Sequence, residues 1–418
     1  MARLIISGGN KLEGEIESQG AKNSVLPILA ATILNGGKNV IYNCPKLSDV
    51  RITVEILERL GCEVKRIGKV LIVDSENISE YTIPDDLMRQ MRSSIIFLGA
   101  ILARFGKAVV SLPGGCEIGN RPIDLHIKAL KMLGADITEV HGYIECRTDK
   151  LCGENIHLDF PSVGATENIM LAACLAEGTT VITNAAREPE IVDLENFLNR
   201  MGADISGAGS DVIRIEGVKK LYAVEHSIIS DRIAGATYLL SGAITGGTII
   251  LRNTDPMYMG AMISALKDMG CRVYSEKNRV VLTAPPGRLK APAKLVTMPY
   301  PGFPTDIQSP FMALSAVSEG TAIFVENIFE NRYQHVEELV RMGADIQVDG
   351  RIAVVSGVEL LSGAKVVAKE LRGGAALVLA GLAAEGITEI DNVKYIDRGY
   401  ETIEKYLNIC GANIRREE

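Results

Sequence analysis

At ~150 residues per domain, 418 residues are enough for two or three domains. With 47% hydrophobic and 23% charged residues, the chain is composed to bury a core and not to stay disordered. A net charge of −8, no Trp, twelve Tyr and eight Phe argue against a nucleic-acid binder, which needs a basic excess and aromatic platforms. No apolar run nears the ~18 residues of a membrane span. The start, MARLIISGGN, lacks the pattern of a signal peptide, so the eight scattered cysteines read as reduced thiols of a cytoplasmic protein. Five histidines without an HxxxH pair, and no CxxC, give metal chemistry no support.

One phrase recurs along the chain: RLGCEV, KMLGADI, NRMGADI, KDMGCRV, VRMGADI and NICGANI. Its glycines, Gly61, Gly134, Gly202, Gly270, Gly343 and Gly411, are 73, 68, 68, 73 and 68 residues apart, so six units fill the sequence. Each phrase closes an amphipathic helix, as in LHIKALKMLGADI with Ile127, Leu130 and Leu133 on one face, and leads into a strand. The glycine supplies the left-handed conformation that ends the helix. Upstream lies a second helix ending in small residues and then a β-branched strand, as in NIMLAACLAEG-TTVITN. Downstream comes a pair of short strands, as in CRVYSEK and NRVVLTA. The unit is therefore β-α-β-α-β-β, with helices on a mixed sheet.

Unit six stops at GANIRREE without the last strand of its siblings, whereas RLIISGGNKLEG at Arg3 resembles the closing strand RIAVVSGVELLSG at Arg351. The N-terminal strand is expected to complete unit six. This predicts two domains of three repeats: residues 22–229, and residues 1–21 with 230–418. The double crossing would leave a hinged cleft between them.

Functional residues are expected where repeats break their own pattern. The first-helix starts read QGAKNSV, MRSSI, SVGATENI, SDRIAG, FPTDIQ and LRGGAA. Helix N-termini suit anions. Capping explains Asp231 and Asp306, but Lys22, Arg92 and Arg372 oppose the helix dipole. They fit either ligand binding or structural pairing. Unit two carries a longer loop, LPGGCEIGNRPIDLH, with Cys116 at its tip and Arg121 nearby. Most free cysteines are small buried hydrophobes. The glycines around Cys116 favour instead an exposed lid, where Arg121 would lower the thiol pKa for proton transfer or nucleophilic attack. The string is no Walker loop, because Asn120-Arg121 stands where Lys-Ser/Thr is required. The other seven cysteines read as buried. IFENRYQH supplies Arg332 and YIDRGYE supplies Arg398, so five cations at equivalent loops favour a small, multiply charged anion.

The strings AKNSVLP, MRSS, LPGGCEIGNRPIDLHI, SVGATENIM, FPTDIQSP, IFENRY, LRGGAAL and YIDRGYE resemble the motifs of the UDP-N-acetylglucosamine enolpyruvyl transferase (1-carboxyvinyltransferase) family. The resemblance runs from residue 3 to the end. It implies an α/β fold of two domains, each an inside-out barrel of three β-α-β-α-β-β repeats. It also implies transfer of the enolpyruvyl group of phosphoenolpyruvate to the 3′-hydroxyl of UDP-N-acetylglucosamine with release of phosphate, the first committed step of peptidoglycan synthesis. No metal or organic cofactor is implied, and no nucleic-acid or membrane partner.

By that resemblance Cys116 protonates the methylene carbon and Asp306 is the base for the sugar hydroxyl. Lys22, Arg121 and Arg398 hold the phosphate, Arg332 and Arg372 serve the carboxylate, and Asn23 neighbours the reacting centre. The nucleotide sugar would meet Arg92, Arg121, Pro122, Ile123, Asp124, Leu125, Ser162, Val163, Gly164, Asp306 and the backbone of Ile328. Departures from the family pattern are Glu370 for Asp, Tyr395 for His, SDRIAG for PDRIEAG, and Phe160 where some members have Lys. Rival readings are transfer to shikimate 3-phosphate, a non-catalytic UDP-sugar-binding paralogue, and a repeat scaffold. The cysteine loop and QGAKNS weigh against the first. Retention of Lys22, Cys116, Asp306 and Arg398 weighs against the second, and glycine-rich polar loops against the third.

Overall fold

The computed structural model of the chain describes residues 2–112 and 123–418. Six four-stranded sheets repeat one topology. In the third, Asn155–His157 runs parallel to Thr179–Thr183, which pairs antiparallel with Val212–Glu216, itself antiparallel to Asp204–Ser206. Helix Val163–Ala173 connects the parallel pair, and helix Pro189–Arg200 leads from Thr179–Thr183 to the hairpin. Burial alternates along Thr179–Thr183, so Thr180 and Ile182 face inward, as a sheet covered on one side requires.

Contacts divide the chain into two compact units, residues 2–19 with 230–418, and residues 20–112 with 123–229. Each has its own apolar core. The 20–229 unit closes on itself, because Glu225–Ser227 lies parallel to Lys38–Tyr42 as the leading strand of the first sheet. In the other unit Glu13–Glu17 leads the fourth sheet, parallel to Thr248–Arg252. Arg3–Ser7 lies between Ile387–Asp391 and Asn413–Glu417, antiparallel to both. That is the place Ile352–Ser356 occupies in the fifth sheet, so the N-terminal strand does complete the sixth repeat.

The first helix of each repeat lies in the core. Every residue from Arg232 to Ala243 of helix Arg232–Ile244 is buried, and helices Gln308–Ala316 and Leu371–Ala383 pack against it and each other. Sequences such as ALVLAGLA are apolar on all sides and need cover on all sides. The second helices are amphipathic: Ser48–Leu60 turns Val50, Ile56, Leu57 and Leu60 inward. The six repeat glycines all have positive φ, between 96° and 105°, as helix-ending residues in the left-handed region. Six of the seven described cysteines are buried, and burial pushes Cys62 and Cys174 up to about 12. Cys152 departs from the sequence expectation: it is exposed, on an edge bridge to Glu177 that leaves its side chain uncovered.

Candidate active site

All six first-helix starts singled out in the sequence are helix N-termini. In the 20–229 unit, Lys22 opens helix Lys22–Ala31, and its Nζ lies 2.6 Å from Asp49 Oδ2 in the first turn of Ser48–Leu60. Asn23 beside it is half-buried. The preceding glycine of QGAK is forced by close approach, since a Cβ on Gly20 would sit 1.9 Å from the Asn43 carbonyl oxygen.

Arg92 begins the 3-10 turn Arg92–Ile96, which packs against Lys22–Ala31 and against Val163–Ala173. Ser162 caps the latter, its Oγ accepting from Ala165 N at 3.3 Å. Ile123 and Leu125 are half-buried around the start of helix Asp124–Met132, and Asp124 is exposed at its first position. His126, two residues further on, lies against Gly164, whose Cβ would come 3.1 Å from the ring. Asn168 Nδ2 lies 2.7 Å from His126 Nδ1. Burial, with a smaller push from Arg92, lowers His126 to about 4 against the pull of Asp124. Arg92, Asp124 and the Ser162–Val163–Gly164 turn therefore surround one neutral imidazole, which sequence reasoning did not single out. Glu167 on the same helix was also missed; burial first, then Glu190 and Glu188, raise its carboxyl well above the usual range. Cys116, Arg121 and Pro122 lie outside the described residues.

In the other unit, Asp306 sits in the 3-10 turn Thr305–Ile307 that opens Gln308–Ala316. Its Oδ1 is 3.0 Å from Arg332 Nη2 and its Oδ2 is 3.3 Å from Arg372 Nη2. Arg332 also donates to the Thr305 carbonyl at 3.1 Å and reaches to 3.7 Å from Glu370. Both arginines are almost wholly buried, at 1% and 2% exposure, so their charge depends on these carboxylates. Glu370 caps Leu371–Ala383 by accepting from the backbone of Arg372 and Gly373. A cation near that helix start is thus matched by two acids.

Arg398 ends the 3-10 turn Val393–Arg398 and is half-buried. Its neighbours are fixed on both sides: Asp397 is held by Arg416 at 2.8 and 2.9 Å, and Gln19 bonds the Gly399 carbonyl and Glu401 N–H at 2.9 Å each. Tyr400 then lies under Arg372, ring centre 5.5 Å from the guanidinium carbon. Asp306, Arg332 and Arg372 form one ion cluster, with the Arg398 turn adjoining it through Tyr400. The Ile328 N–H donates to Glu326 at 2.8 Å on the segment leading to Arg332. Such a cluster can bind a carboxylate bidentately and leave a carboxylate base beside it. Among the described residues no group of three His, Cys, Asp or Glu could hold a metal ion, and no helix is long and apolar enough to cross a membrane.

Six copies of this α/β unit, with the first helices inside, make up a fold shared with solved enolpyruvyl transferases. The enolpyruvyl transferase NikO of Streptomyces tendae matches 99% of this chain and 98% of its own at TM-score 0.90 and 25% identity. EPSP synthase of Acinetobacter baumannii shares the fold at TM-score 0.76 and 18% identity, with 100% of both chains covered. The family EPSP synthase (3-phosphoshikimate 1-carboxyvinyltransferase) matches residues 6–407, and the chain belongs to this enolpyruvyl transferase family. It is 55% identical over 416 residues, 100% of both chains, to UDP-N-acetylglucosamine 1-carboxyvinyltransferase 2 of Caldanaerobacter subterraneus subsp. tengcongensis. It is 51% identical, covering 100% of this chain and 98% of the relative, to UDP-N-acetylglucosamine 1-carboxyvinyltransferase 1 of Carboxydothermus hydrogenoformans.

Proposed function

We propose that this transferase moves the enolpyruvyl group of phosphoenolpyruvate to the 3′-hydroxyl of UDP-N-acetylglucosamine, releasing phosphate, as the first committed step of peptidoglycan synthesis in the cytoplasm. The observation that carries this is identity of 55% along the whole length of a relative named for that acceptor. The rival acceptor, shikimate 3-phosphate, has support only from the family description and from fold likeness at 18–19% identity.

The reaction is an addition followed by an elimination. A proton from Cys116 goes to the methylene carbon, and the adjacent carbon becomes electrophilic. The sugar hydroxyl attacks as Asp306 takes its proton, giving a tetrahedral ketal. Return of a proton from the new methyl group to the Cys116 thiolate then expels phosphate and restores the double bond. Lys22, Arg121 and Arg398 answer the phosphate charge. Arg332 and Arg372, whose counter-ion is Asp306, take the substrate carboxylate. The incoming carboxylate replaces Asp306 on the guanidinium groups, so substrate binding itself releases the base. Arg92, the 121–125 segment, the 162–164 turn and the Ile328 backbone receive the nucleotide sugar. No cofactor enters these steps.

Phosphate release from phosphoenolpyruvate, with either acceptor, tests the reading on wild type and Cys116→Ala. Release with UDP-N-acetylglucosamine alone, abolished in the variant, is the expected result. Release that survives in the variant removes Cys116 as acid while the reaction stands. Release with shikimate 3-phosphate alone overturns the acceptor.

A further inference from the structure

Four repeats leave their central strand through an asparagine with positive φ: Asn43 at 53°, Asn184 at 55°, Asn253 at 51° and Asn392 at 60°. Each stands six residues after the glycine preceding the strand. At that position after Gly320 the fifth repeat has Glu326. In two siblings the asparagine amide donates to a carbonyl just beyond the edge strand, Asn43 to Ile228 at 2.9 Å and Asn184 to Leu158 at 2.7 Å. The equivalent residue of the fifth repeat is Thr297, whose N–H bonds Val325 as Leu158 N–H bonds Thr183. Here the polarity is reversed, because the Thr297 hydroxyl donates to Glu326 Oε1 at 2.9 Å.

Glu326 is fully buried, at 0% exposure. Its Oε1 also accepts the N–H groups of Ile328 at 2.8 Å and Phe329 at 3.0 Å, and its Oε2 accepts the Thr305 hydroxyl at 3.0 Å. One carboxylate thus gathers the residue before Asp306 and the first turn of the segment that carries Arg332. Charge-assisted bonds of this kind are about twice as strong as neutral ones. An asparagine is one methylene shorter and uncharged, so its single oxygen can serve the Ile328 N–H but cannot also reach the Thr305 and Thr297 hydroxyls.

We propose that Glu326 is a positioning residue for the reaction, holding Asp306 and Arg332 in register through Thr305 and the Ile328–Phe329 backbone. This rests on the enolpyruvyl transfer proposed above. The sibling repeats suggest the test, since Glu326→Asn installs the shorter residue they carry at this place in the sequence, although Glu326 does not share their positive φ. Glu326→Gln keeps Oε1 for the two N–H groups and turns its amide toward the Thr305 oxygen, which accepts as well as donates.

In Glu326→Asn, kcat/KM for UDP-N-acetylglucosamine should fall at least tenfold, through both a lower kcat and a higher KM. Tm should stay within about 3 °C, a shift matching ~1 kcal/mol or less in a chain of this size. Amide hydrogen exchange at 305–307 and 327–332 should quicken tenfold. Glu326→Gln should recover to within threefold of wild type in each readout. Glu326→Asn with kinetics and exchange within twofold of wild type overturns the proposal. So does activity that falls only in step with the folded fraction in both variants. Wild-type protein that turns over phosphoenolpyruvate with neither acceptor overturns the reaction instead, and exchange at the two segments then decides the positioning role alone.

Discussion

The Lys22 ammonium lies 2.6 Å from the Asp49 carboxylate, and both residues are buried. Neither residue type is stable alone in such a place, because a desolvated charge needs its partner. Asp49→Asn should therefore destabilise the protein by about 3 kcal/mol or more, at the low end for breaking a buried pair. Urea titration reads the loss. The double variant Lys22→Met/Asp49→Leu should regain part of that stability while losing turnover, which separates the structural from the chemical part of the pair.

Asp306 is shared by two buried guanidinium groups. Asp306→Asn removes the base and the counter-charge together. Turnover should fall about 10²- to 10⁴-fold, the range for losing a general base. Single-turnover phosphate release checks the first effect, and a lower Tm than Asp306→Glu checks the second.

Arg416 grips Asp397 with two bonds, at 2.8 and 2.9 Å, next to Arg398. Arg416→Ala frees one side of the Arg398 turn, so KM for phosphoenolpyruvate should rise about threefold to tenfold while KM for the nucleotide sugar stays near wild type. Initial-rate kinetics with each substrate varied in turn will show the asymmetry. Equal rises in both constants would place the Arg416 contact outside phosphate binding.

His126 and His335 are lowered to about 4 and about 3, by burial first and then by Arg92 and Arg332 respectively. Unfolded histidine titrates near 6.5. Below that the unfolded chain binds protons the folded one refuses, so stability is full above pH ~6.5 and is lost as acid approaches the folded values. Each residue should remove roughly 2 kcal/mol between pH 7 and pH 5. Denaturation curves at the two pH values should show the loss, and His335→Leu should reduce it by about one residue's share.

The six repeat glycines were legible in sequence because a helix-ending left-handed residue leaves a local, periodic mark. Their φ values all fall between 96° and 105°. The place of Arg3–Ser7 was legible for the same reason, as a strand that resembled the fifth repeat's own. Charge at helix starts pointed to Lys22, Arg92 and Arg372, but not to what balances it. Asp49 and Glu326 meet their partners only when the elements of their own repeat pack together, and Glu370 meets Arg332 only when the fifth and sixth repeats do; no spacing in the chain announces that Thr297, Thr305 and Ile328 will meet on one carboxylate. Exposed Cys152 shows the converse, since a cysteine at an edge carries the same letter as one in the core.

The two units differ in when their sheets can be finished. Once residue 229 has been synthesised, the 20–229 unit holds every strand of its three sheets, Glu225–Ser227 arriving last to join Lys38–Tyr42. The sixth sheet joins Arg3 to Glu417, 414 residues apart, and the fourth keeps Glu13–Glu17 waiting for Thr248–Arg252. Arg3–Ser7 and Glu13–Glu17 are thus synthesised long before their partners, and RLIIS remains an unpaired apolar segment until the sixth repeat has been made. Nascent-chain quality control therefore has a longer hold on this unit than on the one encoded inside it.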